Sequence, residues 1–532
     1  MKKSRNIFIV FMVILMVGFT STSCTPKYGK GTWVEGESGE WVEGDSDNPD
    51  ASGGTEDGDD TQNNPDGTGG SNSSQNGTGS NGSNSSKGGT GSNGTSGGGT
   101  TPATSSKPIN NVQTKGKTFS ILSELLPASA SKDNTVFEKM FFERVAEVEK
   151  QFECKINIIR NIDPKAETFA AMVQSGKKVA DVVEVELRFL PQLVGAGYLK
   201  PWNDVPGINP NDTKYTPSYT KMAKFGTKNW GLMFLVPPEV RYCIMMNKTL
   251  LKNSGVDADG IYGLIDAGTW DYETFAQYAL KATNAGSGKY GVGGSPGDVA
   301  EMLLGANNAR LVTLDGNAKA TGTYTSSAVK QALNFYNRLV NTDKSLMINS
   351  TMSNANTFAP PDYSDQFVKG NIAFFMCESY LVNQLIRPTV KNFDYGMLTL
   401  PKGPNASDYC SPSGHARVFT VTSNNKGTDL EFTAKVFDAL AVPPKGYSGD
   451  WWKDEVQLDY FQRSDTKSLN IYVKNLESAM YDVGLGIIEL DKRFKDTTVM
   501  GPIFFHSGLN VDSAVNSILG SYDGMINDVF NK

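Results

Sequence analysis

At three places where the chain otherwise reads as buried strand, charged side chains alternate with apolar ones. In EVELR, Glu184, Glu186 and Arg188 share one side of an extended segment, and Val185 and Leu187 share the other. Glu239 and Arg241 stand at the same spacing within GLMFLVPPEVRYCIMM, with Val240 and Tyr242 opposite. In CESYL, Glu378 precedes Tyr380 by two. Carboxylates accept hydrogen bonds and a guanidinium donates them in a fork. Such faces therefore either close ion pairs among themselves or offer paired donors and acceptors to a polar ligand. Nothing beside them points to covalent chemistry. The histidines are His415 and His506, so the commonest general base is scarce, and neither HExxH, CxxC nor a Walker-type loop occurs. No metal or other cofactor is expected, and the chain is not expected to be an enzyme. A secreted glycoside hydrolase is the catalytic alternative. It would need two carboxyls about 5 Å or about 6.5–9.5 Å apart, and no pattern singles out such a pair.

The elements around these residues set further bounds. A formal charge of −7 leaves no basic surface for nucleic acid. Lys2, Lys3 and Arg5 precede an apolar run from Ile7 to Phe19, which as a helix spans about 20 Å, short of a bilayer core. This is a leader peptide (1–23), and STSC resembles a lipobox ending in Cys24, with Ser21 where Leu is usual. An ordinary cleaved signal peptide is the alternative, and the protein is exported either way. Residues 24–116 form a Gly/Ser/Asn-rich linker holding a WVEGESGE/WVEGDSD repeat. It carries too little apolar surface to fold, and as a coil of roughly 80 residues it would span about 50 Å. Cys154, Cys243 and Cys377 lie in apolar runs and read as buried thiols. From Lys117, KTFSILSELL, a helix opened by the Thr135/Glu138 capping box, CKINIIR, ETFAAMVQSG and ADVVEV alternate strand with helix. That order predicts doubly wound α/β layers, and the remaining length predicts two of them.

Four stretches taken in order carry a resemblance: ADVVEVELRFLPQLVGAGYLKPWND, NWGLMFLVPPEVRYCIMMNKTLLKNSGVD, GTWDYETF and FVKGNIAFFMCESY. Together they resemble the extracellular solute-binding proteins of ABC importers, in the carbohydrate-type group related to maltose-binding protein. The resemblance covers roughly 117–532. It implies a two-lobed periplasmic-binding-protein-like α/β fold with a multi-crossing hinge, divided as 117–236 and 395–443 against 237–394 and 444–532. One departure is Cys377-Glu378, which stands where the family has a small residue after the strand.

The same resemblance places Pro237 and Pro238 at the hinge, since proline cannot continue a ladder. Glu239 and Arg241 then face an interlobe cleft, unless they only close a hinge ion-pair network. Glu184, Glu186 and Arg188 form a polar wall at a strand's end, with a solvated loop as the alternative. Tyr380 falls where sugar-binding relatives place a stacking aromatic, with a core position as the alternative, and Glu378 lies beside it. Arg417 and His415 reach the cleft after the SPSG turn, although His415 also fits an ordinary loop position. Of the pair in GDWWKDE, Trp451 is taken as the ligand contact and the other as core. Phe505 and His506 are weaker rim candidates. Aromatic faces suit a pyranose and charged groups its hydroxyls, so the implied ligand is a sugar or oligosaccharide. The implied partners are an ABC permease and, through Cys24, the outer face of the cell membrane. A monomer is expected, and a ligand-sensing receptor is the alternative function.

Overall fold

The structure, a computed structural model, describes residues 33–35, 41–43, 112–129, 135–160, 166–176, 178, 180–347, 361–447, 450–487, 510–517 and 519–530. The leader, Cys24, Phe505 and His506 lie outside these residues. The chain divides into two units, Met1–Gly98 and Gly99–Lys532. In the first, the two copies of WVE form antiparallel strands, with Val34 opposite Val42.

In the second unit the chain builds one sheet, leaves it, builds another and returns. Strands β1 (Thr118–Leu122), β2 (Lys155–Ile159) and β3 (Val182–Glu186) run parallel. Between the first two lies helix α1 (Val136–Phe152), whose Thr135 and Glu138 form the expected reciprocal cap at 3.1 and 3.0 Å. The short strand β4 (Leu199–Lys200) then precedes the crossover. Beyond Pro237-Pro238 come β5 (Tyr242–Asn247), β6 (Tyr290–Gly293), β7 (Ile372–Glu378) and β8 (Tyr395–Leu398), ordered β6-β7-β5-β8. Strand β9 (Arg417–Thr422) returns to the first sheet, giving the order β2-β1-β3-β9-β4 with β9 antiparallel to both neighbours. Both sheets are thus mixed rather than wholly parallel.

Helix α2 (Tyr272–Ala282) starts at an Asp271 cap, which accepts from Thr274 N at 2.9 Å. Helix α3 (Pro296–Ala306) follows β6. Trp202 and Trp270 are fully buried core anchors, one in each half. Their indole N–H groups donate to Phe419 O and Thr399 O at 2.9 and 3.1 Å, so neither polar atom is stranded.

Two of the expected boundaries move. The division at 395 is corrected by β8, which pairs Tyr395 with Asn247 and Leu398 with Ile244 and so belongs to the second sheet. The alternation in FDYGMLTL fits either sheet, and only the partner strand decides. The chain stays on that side through Gly403, which donates to Ala306 O at 3.0 Å. It crosses back only around Ser411–Pro412, a short strand parallel to Ala479–Met480. The segment 444–532 is not confined to the second half either. After helix α4 (Gly427–Leu440), it opens with α5 (Trp451–Tyr460) and α6 (Thr466–Glu477). Of these, α6 docks on β8 through Met397 N to Ser468 Oγ at 2.9 Å. Helix α7 (Leu519–Phe530) then touches both halves. Val529 lies on Gly195 and Phe530 on Phe225, while Asp523 accepts from Tyr324 at 2.9 Å.

Candidate functional site

The charged stretches singled out above meet where strands of both sheets end at the crossover. On the first-sheet side, the β3–β9 register sets Arg417 opposite Glu186 and Phe419 opposite Glu184. Glu184 is only 1 % exposed, and its carboxylate is fully occupied. Oε1 accepts from Arg417 Nη1 at 2.8 Å, and Oε2 accepts from Leu125 N at 3.0 Å and from Ser123 Oγ. Its place on a ligand wall is therefore corrected. It is a positioning residue that fixes Arg417 and the loop after β1.

Glu186 opens further toward solvent. Its Oε2 lies 2.6 Å from Arg188 Nε and 3.6 Å from His415 Nδ1, and its Oε1 is 3.4 Å from Arg417 Nη2. Burial alone would raise this carboxyl, but His415, Arg188 and Arg417 outweigh it and hold the pKa at about 2. Arg188 is not on the strand. Leu187–Phe189 form a 3₁₀ turn, which lays the guanidinium over the Phe189 ring at 4.7 Å and back onto Glu186.

On the second-sheet side, Arg241 Nη2 pairs with Glu378 Oε1, and Ser379 N donates to Arg241 O at 2.9 Å. Burial raises the Glu378 carboxyl. Arg241 pulls it down, while the acidic neighbours Asp298 and Glu301 push it up. Behind them, Tyr242 donates to Asp298 Oδ1 and lies within hydrogen-bond distance of Glu301 Oε2, each at 3.1 Å. Tyr380 is half-buried and lines a cavity of about 340 Å³ with Ser295, Asp298, Asp365 and Glu378. Ser295 sits in GGSPG, the spacing of a nucleophile elbow, but its φ is an unstrained −59° and it opens helix α3.

Glu239 lies between the two groups. It is exposed, and among the described residues its carboxylate makes no ion pair. Surrounding protein raises its pKa, while Arg241, Arg417 and His415 draw it down, so it feels arginines of both sheets. Water still reaches this carboxyl, so the direction of the shift holds but its energetic weight is small.

The crossover backbone is held from both sides. Tyr219 Oη accepts from Glu239 N at 2.9 Å, and Tyr472, on α6, donates to Pro238 O at 3.0 Å. Just upstream, Leu235 takes a left-handed φ of +50°, a conformation that costs a side-chain-bearing residue about 1 kcal/mol or more. Trp451 is the candidate that the structure does not bring to the wall. Its ring stacks on Phe137 at 6.1 Å, and with Trp452, Val236 and Pro238 it lines a separate cavity of about 830 Å³. The other end of the same helix takes its place, since Tyr460 lies against Ser379 and Glu239. Tyr460, Asp298 and Tyr219 were not found by sequence reasoning. The helical phase of WWKDEVQLDY, which separates its two ends, was the one available signal.

A profile of the bacterial extracellular solute-binding protein family matches residues 143–446. No curated protein sequence matches the chain. Several solved structures share the fold. One is the cyclic α-maltosyl-1,6-maltose binding protein of Arthrobacter globiformis, with a TM-score of 0.54 and 14% identity over 78% of this chain and 100% of that one. A cyclo/maltodextrin-binding protein complexed with maltotetraose gives 0.53 and 15%, over 77% and 98%. UgpB of Mycobacterium tuberculosis, in complex with glycerophosphocholine, gives 0.52 and 15%, over 80% and 99%. At these identities the likeness is one of fold.

Proposed function

This chain belongs to the bacterial extracellular solute-binding proteins, and from that premise we propose that it captures a sugar or oligosaccharide between its two lobes and hands it to a membrane permease. One observation carries the reading. An exposed carboxylate without an ion pair among the described residues, Glu239, sits on the crossover between an arginine–carboxylate group of each sheet. A ligand that accepts from the arginines and donates to Glu239 touches both lobes at once, so it binds the closed form better than the open one. Tyr380 and Tyr460 add aromatic faces on the second-lobe side. Two of the structures with this fold are named as binders of maltosyl or maltodextrin ligands, which supports a saccharide here.

The mechanism is one of binding and closure, without catalysis, and Pro237 and Pro238 serve as the hinge. The first lobe is 117–236 with the return segment 411–443, and the second is centred on 237–410. The protein is exported, held by lipid on Cys24 at the outer face of the membrane, and works as a monomer. The test is thermal unfolding of the full chain against mono- and oligosaccharides, amino acids and polyamines. A saccharide at 100 times its Kd should stabilise the fold by about 2.7 kcal/mol. That shift should vanish in Tyr380→Ala at unchanged ligand-free stability. If only a non-saccharide acts, the sugar assignment fails.

A further inference from the structure

Away from the wall, a cavity of about 420 Å³ opens between the two halves. Lys221, Lys224 and Gly226 line it from the first-sheet side, and Arg310 with residues 312–316 from the second. Two turns bring these walls together. Gly226 (φ +58°) approaches Gly316 so closely that a Cβ there would meet its carbonyl oxygen at 2.6 Å. Three cations face this space with one lining carboxylate, Asp315, whose Oδ1 is taken by its own turn, accepting from Asn317 N and Lys319 N at 2.8 and 2.9 Å. In a chain of net charge −7 this is a local reversal of sign.

Arg310 is the deepest of the three. Its Nη1 reaches Ala309 O at 3.4 Å and Met480 Sδ at 3.5 Å, and its other nitrogens meet no acceptor among the described residues. Asp482 supplies the nearest opposing field, yet both its oxygens are already accepting. Oδ2 takes Leu311 N at 2.6 Å, and Oδ1 takes Gly484 N at 2.9 Å. Burial outweighs that field and draws the guanidinium pKa down. A crowded guanidinium without a carboxylate is costly, and the fork of its donors matches a planar or tetrahedral oxyanion.

We propose that this cavity is an oxyanion site, taking a carboxylate, phosphate or sulfate group on Arg310 with Lys221 and Lys224 closing from the opposite half. Because its walls come from both halves, an anion bound there holds them at the spacing seen here. Anion binding and ligand capture at the crossover are then coupled, because each favours one spacing of the halves over the others. The inference does not depend on the ligand being a sugar.

The test is calorimetric unfolding of the full chain in increasing sodium phosphate, sulfate or glucuronate, each compared with sodium chloride at equal ionic strength. At least one oxyanion should raise the midpoint saturably where chloride does not. Arg310→Gln should weaken that response at least tenfold. A Lys221→Gln/Lys224→Gln pair, changed only at exposed positions and so expected to keep its ligand-free midpoint, should weaken it several-fold. A response to glucuronate but to neither phosphate nor sulfate identifies the acid group of a sugar, and a response to phosphate or sulfate identifies a free inorganic anion. A shift matched by chloride, or unchanged in both variants, overturns the site.

Discussion

Glu186 and Glu378 occupy matching places in the two halves. Each ends a core strand, each faces an arginine, and their side chains are 17% and 18% exposed, yet their carboxyls are driven in opposite directions. Burial is the same for both, so the company decides. Glu186 meets Arg188, Arg417 and His415, whereas Glu378 meets Arg241 together with Asp298 and Glu301. The first-sheet wall already holds its own counter-charges. The second-sheet wall still lacks positive partners or donors, and a ligand's hydroxyls gain most there.

The largest test of this contrast removes one arginine from each side. Arg417→Ala strands the buried Glu184 and should cost about 3–5 kcal/mol in urea denaturation, whereas Arg241→Ala, whose partner already resists ionisation, should cost only about 1–2 kcal/mol. Equal losses would break the comparison.

Next in size is the pH dependence. The Glu186 pKa is depressed from 4.5 to about 2, so its contribution is present above pH 4.5 and lost as pH falls toward 2. That contribution is on the order of 2–3 kcal/mol. Glu378 is raised, so its contribution is full below 4.5 and fades as pH rises through its folded value. Glu186→Gln should flatten the acid limb of the stability curve, and Glu378→Gln should relieve the loss above pH 4.5. Reversed signs in stability measured from pH 2 to 7 would refute the assignment.

The smallest effect on stability belongs to Glu239. Because it is exposed and makes no ion pair among the described residues, Glu239→Gln should change unfolding by less than about 0.5 kcal/mol while lowering ligand affinity about tenfold. A large stability loss would make Glu239 a structural member of the hinge.

Much of the scaffold was legible because it follows from local physics. The Thr135 cap and the strand reading of ADVVEV each depend on neighbours within a few residues. The alternation of Glu239 and Arg241 also pointed to a charged face beside a proline break. What failed depended on partners far away in sequence. Whether Glu184 meets ligand or Arg417 is set by a strand 233 residues on. The side on which β8 lies is set by β5, and the displacement of Trp451 by Phe137 reflects how α5 packs against the start of α1. Arg188 was misplaced for a local reason, since alternation was extended one residue past the point where the strand becomes a turn.

The buried cysteines have a kinetic consequence. Cys154 is buried directly before β2 of the first sheet, and Cys243 and Cys377 face each other across β5 and β7 of the second; none is more than 4% exposed. A thiol reagent reaches each only when its own sheet opens. Among the described cysteines, once the half-exposed Cys410 has reacted, the remaining labelling under native conditions falls into one clock for each half of the molecule, with no engineered probe. Ligand should slow both clocks together if the halves close as a unit, and only one of them if closure is lopsided.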